Sequence, residues 1–144
     1  MTRSSINKLS AAERQIRTAV VLFFNGGDLL SVMTLAGAAE EICGNLLRRS
    51  GKKNIIGVMY DEAVRQGLAL TRADVYNRAS RLRNALKHAT APEEDTFVFD
   101  DEAAVLMLVR AVINFQLTGA KLPGDIEHFI QWVQKSGLVT REET

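Results

Sequence analysis

The chain has 144 residues, with 18 Lys plus Arg against 17 Asp plus Glu and a single cysteine, Cys43. That length suits one domain able to bury roughly 70% of its unfolded surface without disulfides or metals. The near-balanced charge excludes long-range electrostatic capture of nucleic acid, and the lone cysteine excludes an intramolecular disulfide.

In chain order, residues 1–9 are polar and read as a frayed end. The opening stretch MTRSSINKLSAAERQIR carries charges where a secretory signal needs an apolar core, and a single thiol fits a reducing compartment, so a cytoplasmic location is expected. Ser10 followed by Glu13 has the spacing of a capping box and opens a helix through Ile16, Ala19, Val20, Phe23 and Phe24. Asn25-Gly26-Gly27 interrupts it, since each glycine weakens a helix by ~1 kcal/mol relative to alanine. Asp28 caps a second helix, from Leu29 to about Arg49. Its small residues Ala36, Ala39 and Cys43, with Gly37, Ala38 and Gly44 beside them, let another helix approach closely. Arg48 and Arg49 complement the dipole of its last turn, and Gly51 ends it.

A shorter helix follows over residues 55–66, with Ile55, Val58, Met59 and Ala63 inward and Gly67 as its stop. Residues 71–89, TRADVYNRASRLRNALKHA, form the central helix. Thr71 with Asp74 resembles a capping box, and Val75, Ala79, Leu82, Leu86 and Ala89 make an apolar stripe. Asn77, Arg81, Asn84 and His88 make a polar stripe on nearly the opposite face. Arg83 lies between the two, roughly 140° from His88 on an ideal helix. Thr90-Ala91-Pro92 stops this helix, Glu93, Glu94 and Asp95 form a solvated turn, and residues 96–99 read as an extended link or strand-like arm. Asp100, Asp101 and Glu102 then start a helix over residues 103–118 that is apolar nearly all round, with Arg110 and Asn114 its strongly polar interior side chains. A turn at Pro123-Gly124 leads to a last helix over residues 126–135. The expected fold is all-α, an antiparallel bundle of five to six helices occupying residues 10–137 as one domain, with a polar tail at 138–144. No membrane span is expected, because no apolar run approaches ~20 residues.

Several chemistries are excluded. One cysteine and two histidines make no structural zinc set, and the acidic residues do not cluster at ligand spacing, so no metal and no cofactor is expected. There is no Walker loop, no GxGxxG after a strand and no GxSxG elbow. Acid-base work near neutral pH points to His88 or His128. His128 sits opposite the apolar residues of its helix and reads as surface. His88 has Asn84 one turn before it and Arg83 and Lys87 as neighbouring cations. The bland alternative is a basic helix end that contains a histidine, as helix C-termini favour.

The run Arg83-Asn84-Ala85-Leu86-Lys87-His88 resembles the motif of the HEPN superfamily: Arg, a polar residue that is often Asn, then His after four to six intervening residues, late in a helix of an α-helical bundle. LAGAAEEICGNLL, within the second helix, is similar to the early bundle helix of bacterial members. Arg81, with six residues before His88, also fits the interval; Arg83 is preferred because Asn84 follows it directly. No tyrosine follows His88, unlike the members paired with a minimal nucleotidyltransferase antitoxin. The resemblance implies a homodimer whose motif helices meet across a two-fold axis, acting as a metal-independent ribonuclease in defence, stress or a toxin–antitoxin system, with an antitoxin or other protein as partner. His88 would move protons during attack of a ribose 2′-hydroxyl on phosphate, Arg83 would hold the developing charge, and Asn84 would orient either group. Lys87 and Arg81 would bind substrate, and Glu41 would orient Arg83 from the facing helix. The alternative is a HEPN-like module that binds RNA, nucleotides or a protein without catalysis.

Overall fold

The computed structural model describes residues 1–138; part of the segment read as a polar tail therefore lies outside the described residues. Six α-helices follow one another: α1 (Lys8–Phe24), α2 (Leu29–Arg49), α3 (Ile55–Arg65), α4 (Arg72–Ala85), α5 (Asp101–Leu117) and α6 (Gly124–Ser136). The chain is all-α among the described residues, a helical bundle as its periodicity implies.

Most helix ends are set by side chains within a few residues of them. Asp28 accepts the backbone N–H groups of Leu30 and Ser31, and Asp100 accepts that of Ala103. Thr71 and Asp74 close a full capping box at the start of α4, the Thr71 hydroxyl accepting from Asp74 N–H and the Asp74 carboxylate from Thr71 N–H. Gly51 ends α2 at φ +70°, where its N–H and that of Lys52 reach the carbonyls of Arg48 and Leu47. The first helix departs from expectation. It begins at Lys8, inside the stretch read as frayed, because Asn7 and not Ser10 is its cap; the Asn7 side chain accepts Ser10 N–H at 2.7 Å.

The core lies between α1, α2 and α5, with α6 closing the side formed by α1 and α5. Ala36, Ala39 and Cys43 are fully buried, as small residues must be where helices approach closely. The glycines beside them do a different job. A Cβ on Gly37 would lie 3.0 Å from Cγ of Arg83, and one on Gly44 would lie 3.3 Å from Nδ2 of Asn114, so both make room for polar side chains. Helices α3 and α4 form a pair held against α2 and α5 through few contacts.

Rotation about the helix axes is where expectation and structure part. Val58 and Met59 are exposed at 44% and 38%; Ala63 is buried as expected, and Ile56 and Tyr60 are half-buried in place of the other two. The reason is polar: Ile55 N–H donates to Oδ1 of Asn114 at 2.7 Å, which pins the first turn of α3 to α5. Leu106 and Leu117 of α5 face outward, so that helix is not buried all round. Residues 96–99 form no strand; they are irregular and exposed, with Phe97 and Phe99 6.2 Å apart between ring centres. No helix among the described residues is long and apolar enough to cross a membrane.

Candidate functional site

Helix α4 buries Val75, Ala79, Ser80 and Arg83. On an ideal helix Arg83 lies about 80° from Val75, close enough to the apolar stripe to be carried inside with it. Leu82 and Leu86 pack partly against the core, and Ala89 is exposed beyond the helix end.

Inside, Arg83 meets a cluster that joins three helices. Its Nη2 donates to Oγ of Ser80 at 3.1 Å, its Nη1 lies 3.9 Å from Oε1 of Glu40, and its Nε lies 3.8 Å from Oε2 of Glu41. Glu40, only 1% exposed, accepts on that same Oε1 from Nη2 and Nε of Arg110 at 2.6 and 3.2 Å. Arg110 Nη2 also donates to the carbonyl of Ala79, and Asn114 Nδ2 donates to the carbonyl of Glu40. Buried charge is tolerable when it is paired and hydrogen-bonded, and two guanidiniums around one carboxylate meet that condition. Sequence reading found Arg110 and Asn114 as polar side chains in an apolar helix but missed Glu40 as the residue both bond to, and Ser80 as a partner of Arg83. An Arg–Asn pair one turn apart was the available signal.

The other candidates lie outside. Asn77, Arg81, Asn84 and His88 are all exposed, as their stripe requires. The regular helix ends at Ala85, yet His88 N–H still donates to the Asn84 carbonyl at 3.0 Å, which keeps His88 one turn above Asn84. Lys87 Nζ donates to Oε2 of Glu41 at 2.7 Å, so Lys87 and Arg83 share one carboxylate from the facing helix. Within the chain, then, Arg83 faces inward and His88 faces solvent, while Arg81 shares the exposed face with Asn84 and His88.

The Lys87 hydrogen bond holds the Glu41 carboxyl below its usual range; burial opposes this and the Arg83 charge adds to it. A carboxylate whose folded pKa is depressed contributes stability above its unfolded value, ~4.3, and loses it as pH falls through the folded value. Asp28 is depressed in the same sense by the hydroxyl and then the N–H of Ser31, and Asp74 by the N–H and then the hydroxyl of Thr71. Stability is therefore expected to hold level from pH 7 to about 5 and to decline below about 4. Glu41→Gln should flatten part of that decline, by about 0–1 kcal/mol, because the side chain is 42% exposed and screened. Urea titrations at several pH values check it; identical acid profiles for the variant and the parent chain would remove Glu41 from the account.

On the inner side of α4, a cleft of about 290 Å³ opens between α2, α3 and α4. Arg83 and Glu40 reach it from below, and Arg48, Arg72, Tyr60 and Tyr76 line it nearer the surface. Cys43 is a buried free thiol, and burial pushes it up to about 11, which disfavours the thiolate. Among the described residues no group of His, Cys, Asp and Glu could hold a metal ion. Comparison with protein-family models, with curated proteins and with solved structures finds no match.

Proposed function

We propose that this chain is a HEPN-like domain that acts on RNA as a homodimer, cleaving it without a metal through the exposed face of α4. One observation carries the reading: Arg81, Asn84 and His88 share one solvent face, with His88 kept in register by its bond to the Asn84 carbonyl. An imidazole there can accept the proton of a ribose 2′-hydroxyl, and a second imidazole from the twin protomer can protonate the departing 5′-oxygen. The Arg81 guanidinium supplies fixed positive charge to the phosphorane formed between those steps. Asn84 orients the imidazole or a phosphate oxygen. In this arrangement the motif arginine is Arg81, and Arg83 supports the helix from inside.

The burial of Arg83 favours a second reading, a domain that binds RNA without cutting it, because the guanidinium directly before Asn84 is held by Glu40 and Ser80 and is withdrawn from a phosphate. The two readings separate in one experiment. Pure protein is incubated with single-stranded RNA in EDTA beside Arg81→Ala, His88→Ala and Arg83→Ala. Cleavage should fall about 100-fold or more for the first two, with melting temperatures unchanged. Arg83→Ala should lower the melting temperature. Intact RNA that is nonetheless retained on a filter by the parent chain would establish binding alone. Residual cleavage equal in all four proteins would reject this face as the catalytic one.

A further inference from the structure

The charges of this chain nearly cancel in total, at a formal +1, but two groups of opposite sign stand at opposite ends of the bundle. Gly37 of α2 lies beside Met107 of α5, and Gly44 beside Asn114, the same interval on in both helices, so α2 and α5 run parallel. Their first turns share one end of the bundle and their last turns the other. The 17 residues of α5 set those ends ~25 Å apart, at ~1.5 Å per residue.

At the first end, the link into α5 carries Thr96-Phe97-Val98-Phe99 between Glu93, Glu94 and Asp95 on one side and Asp100, Asp101 and Glu102 on the other, all of them exposed. None of these acids forms an ion pair among the described residues. Val98 is 93% exposed, and the Phe97 and Phe99 rings, 6.2 Å apart, make one apolar projection. At the other end, a groove of about 350 Å³ lies between the start of α1 and the last turns of α2 and α5. Leu9, Leu46 and Leu47 line it, with Lys8 and Lys52 exposed beside them. Neither lysine forms an ion pair among the described residues, nor do Arg48 and Arg49 at the end of α2. Phe97 stands four residues before Asp101, so it reaches at most ~14 Å from α5 and cannot enter the groove of its own chain.

We infer that this groove receives residues 96–99 of a second copy of the chain, head to tail. The two phenylalanine rings enter between Leu9, Leu46 and Leu47, and the flanking acids meet Lys8, Arg48, Arg49 and Lys52. Two arms do not pair with each other, because that would set acidic flank against acidic flank. Each contact joins two different surfaces, so a chain defective in one still offers the other. The contact uses none of Arg81, Asn84 and His88 and does not rest on the RNA-cleavage reading.

The full chain is sedimented from ~10 μM to ~1 mM in low salt, a range that suits the weak affinity of one short arm in one groove. Its average mass should rise with concentration, and association should weaken about tenfold or more between ~20 and ~500 mM salt, as screening shortens the reach of the charges. Phe99→Asp spoils the arm, and Lys8→Glu with Lys52→Glu reverses the charge beside the groove. All three side chains are exposed, so both variants should keep the parent's melting temperature and its RNA cleavage. Each variant alone should associate about tenfold or more weakly than the parent chain. Mixed in equal amounts, they should reach a mass that neither reaches alone, because the intact arm of one meets the intact groove of the other. Pairing through α4 survives equally in every sample, so failure here is distinct from failure of that reading. The inference is overturned if either variant associates as the parent chain does, if the mixture gains no mass over its components, or if salt leaves the association unchanged.

Discussion

Glu40→Ala is expected to lower the unfolding free energy by about 3–5 kcal/mol, a large fraction of the ~5–15 kcal/mol that holds an ordinary domain folded. The Glu40 carboxylate is the shared partner of Arg110, at 2.6 Å, and Arg83, at 3.9 Å. Its removal strands two guanidiniums that cannot shed their protons, one of them 5% and the other 17% exposed at the side chain. Urea unfolding followed by circular dichroism measures the loss. A change under about 1 kcal/mol would mean that water enters from the cleft and solvates both arginines in place of the carboxylate. Replacing all three residues together, Glu40→Met, Arg83→Met and Arg110→Met, should be neutral or stabilising by up to a few kcal/mol, because hydrophobic residues of similar volume carry no desolvation penalty. The contrast separates the effect of breaking the cluster from the effect of having it.

Phe129→Ala should remove about 3–5 kcal/mol by a different route, the loss of buried apolar surface and the cavity left behind. Phe129 is fully buried and packs edge-on to Phe23 and Phe24, at 6.1 and 6.2 Å between ring centres, and stacks on Trp132 at 6.2 Å. This cluster fastens α6 to α1, where the polar tie is the ion pair of Arg17 and Asp125, which solvent and salt screen. Trp132 is the only tryptophan, so its fluorescence reports this contact directly. Phe129→Leu should cost about 1–2 kcal/mol, since most of the volume is kept. If alanine cost no more than leucine, the neighbouring rings would have collapsed into the space, and the cluster would be less rigid than its geometry implies.

The positions of the helices were legible in the residues, and so were most of their ends. Asp28, Gly51, Gly67 and the Thr71–Asp74 box act on backbone groups within a few residues of themselves, so a reader of the chain has both partners in view. The start of α1 was misplaced because two capping choices compete in Asn7-Lys8-Leu9-Ser10, and Asn7 is the one that the backbone takes. The exposed stripe Asn77, Arg81, Asn84 and His88 was also legible, because a helical wheel needs only the spacing.

What the chain alone decided about this protein is a set of helices, their bounds and a polar face on α4. Which way each helix turns was settled by partners distant in sequence: Glu40 and Arg110 are 70 residues apart, Ile55 and Asn114 59 apart. Those contacts placed Arg83 inside with Glu40, left Arg81 outside with His88, and turned Val58 and Met59 away from the core. Periodicity gives the angles between side chains on one helix but no absolute orientation, and orientation here follows from a buried carboxylate and a buried amide whose partners lie on other helices.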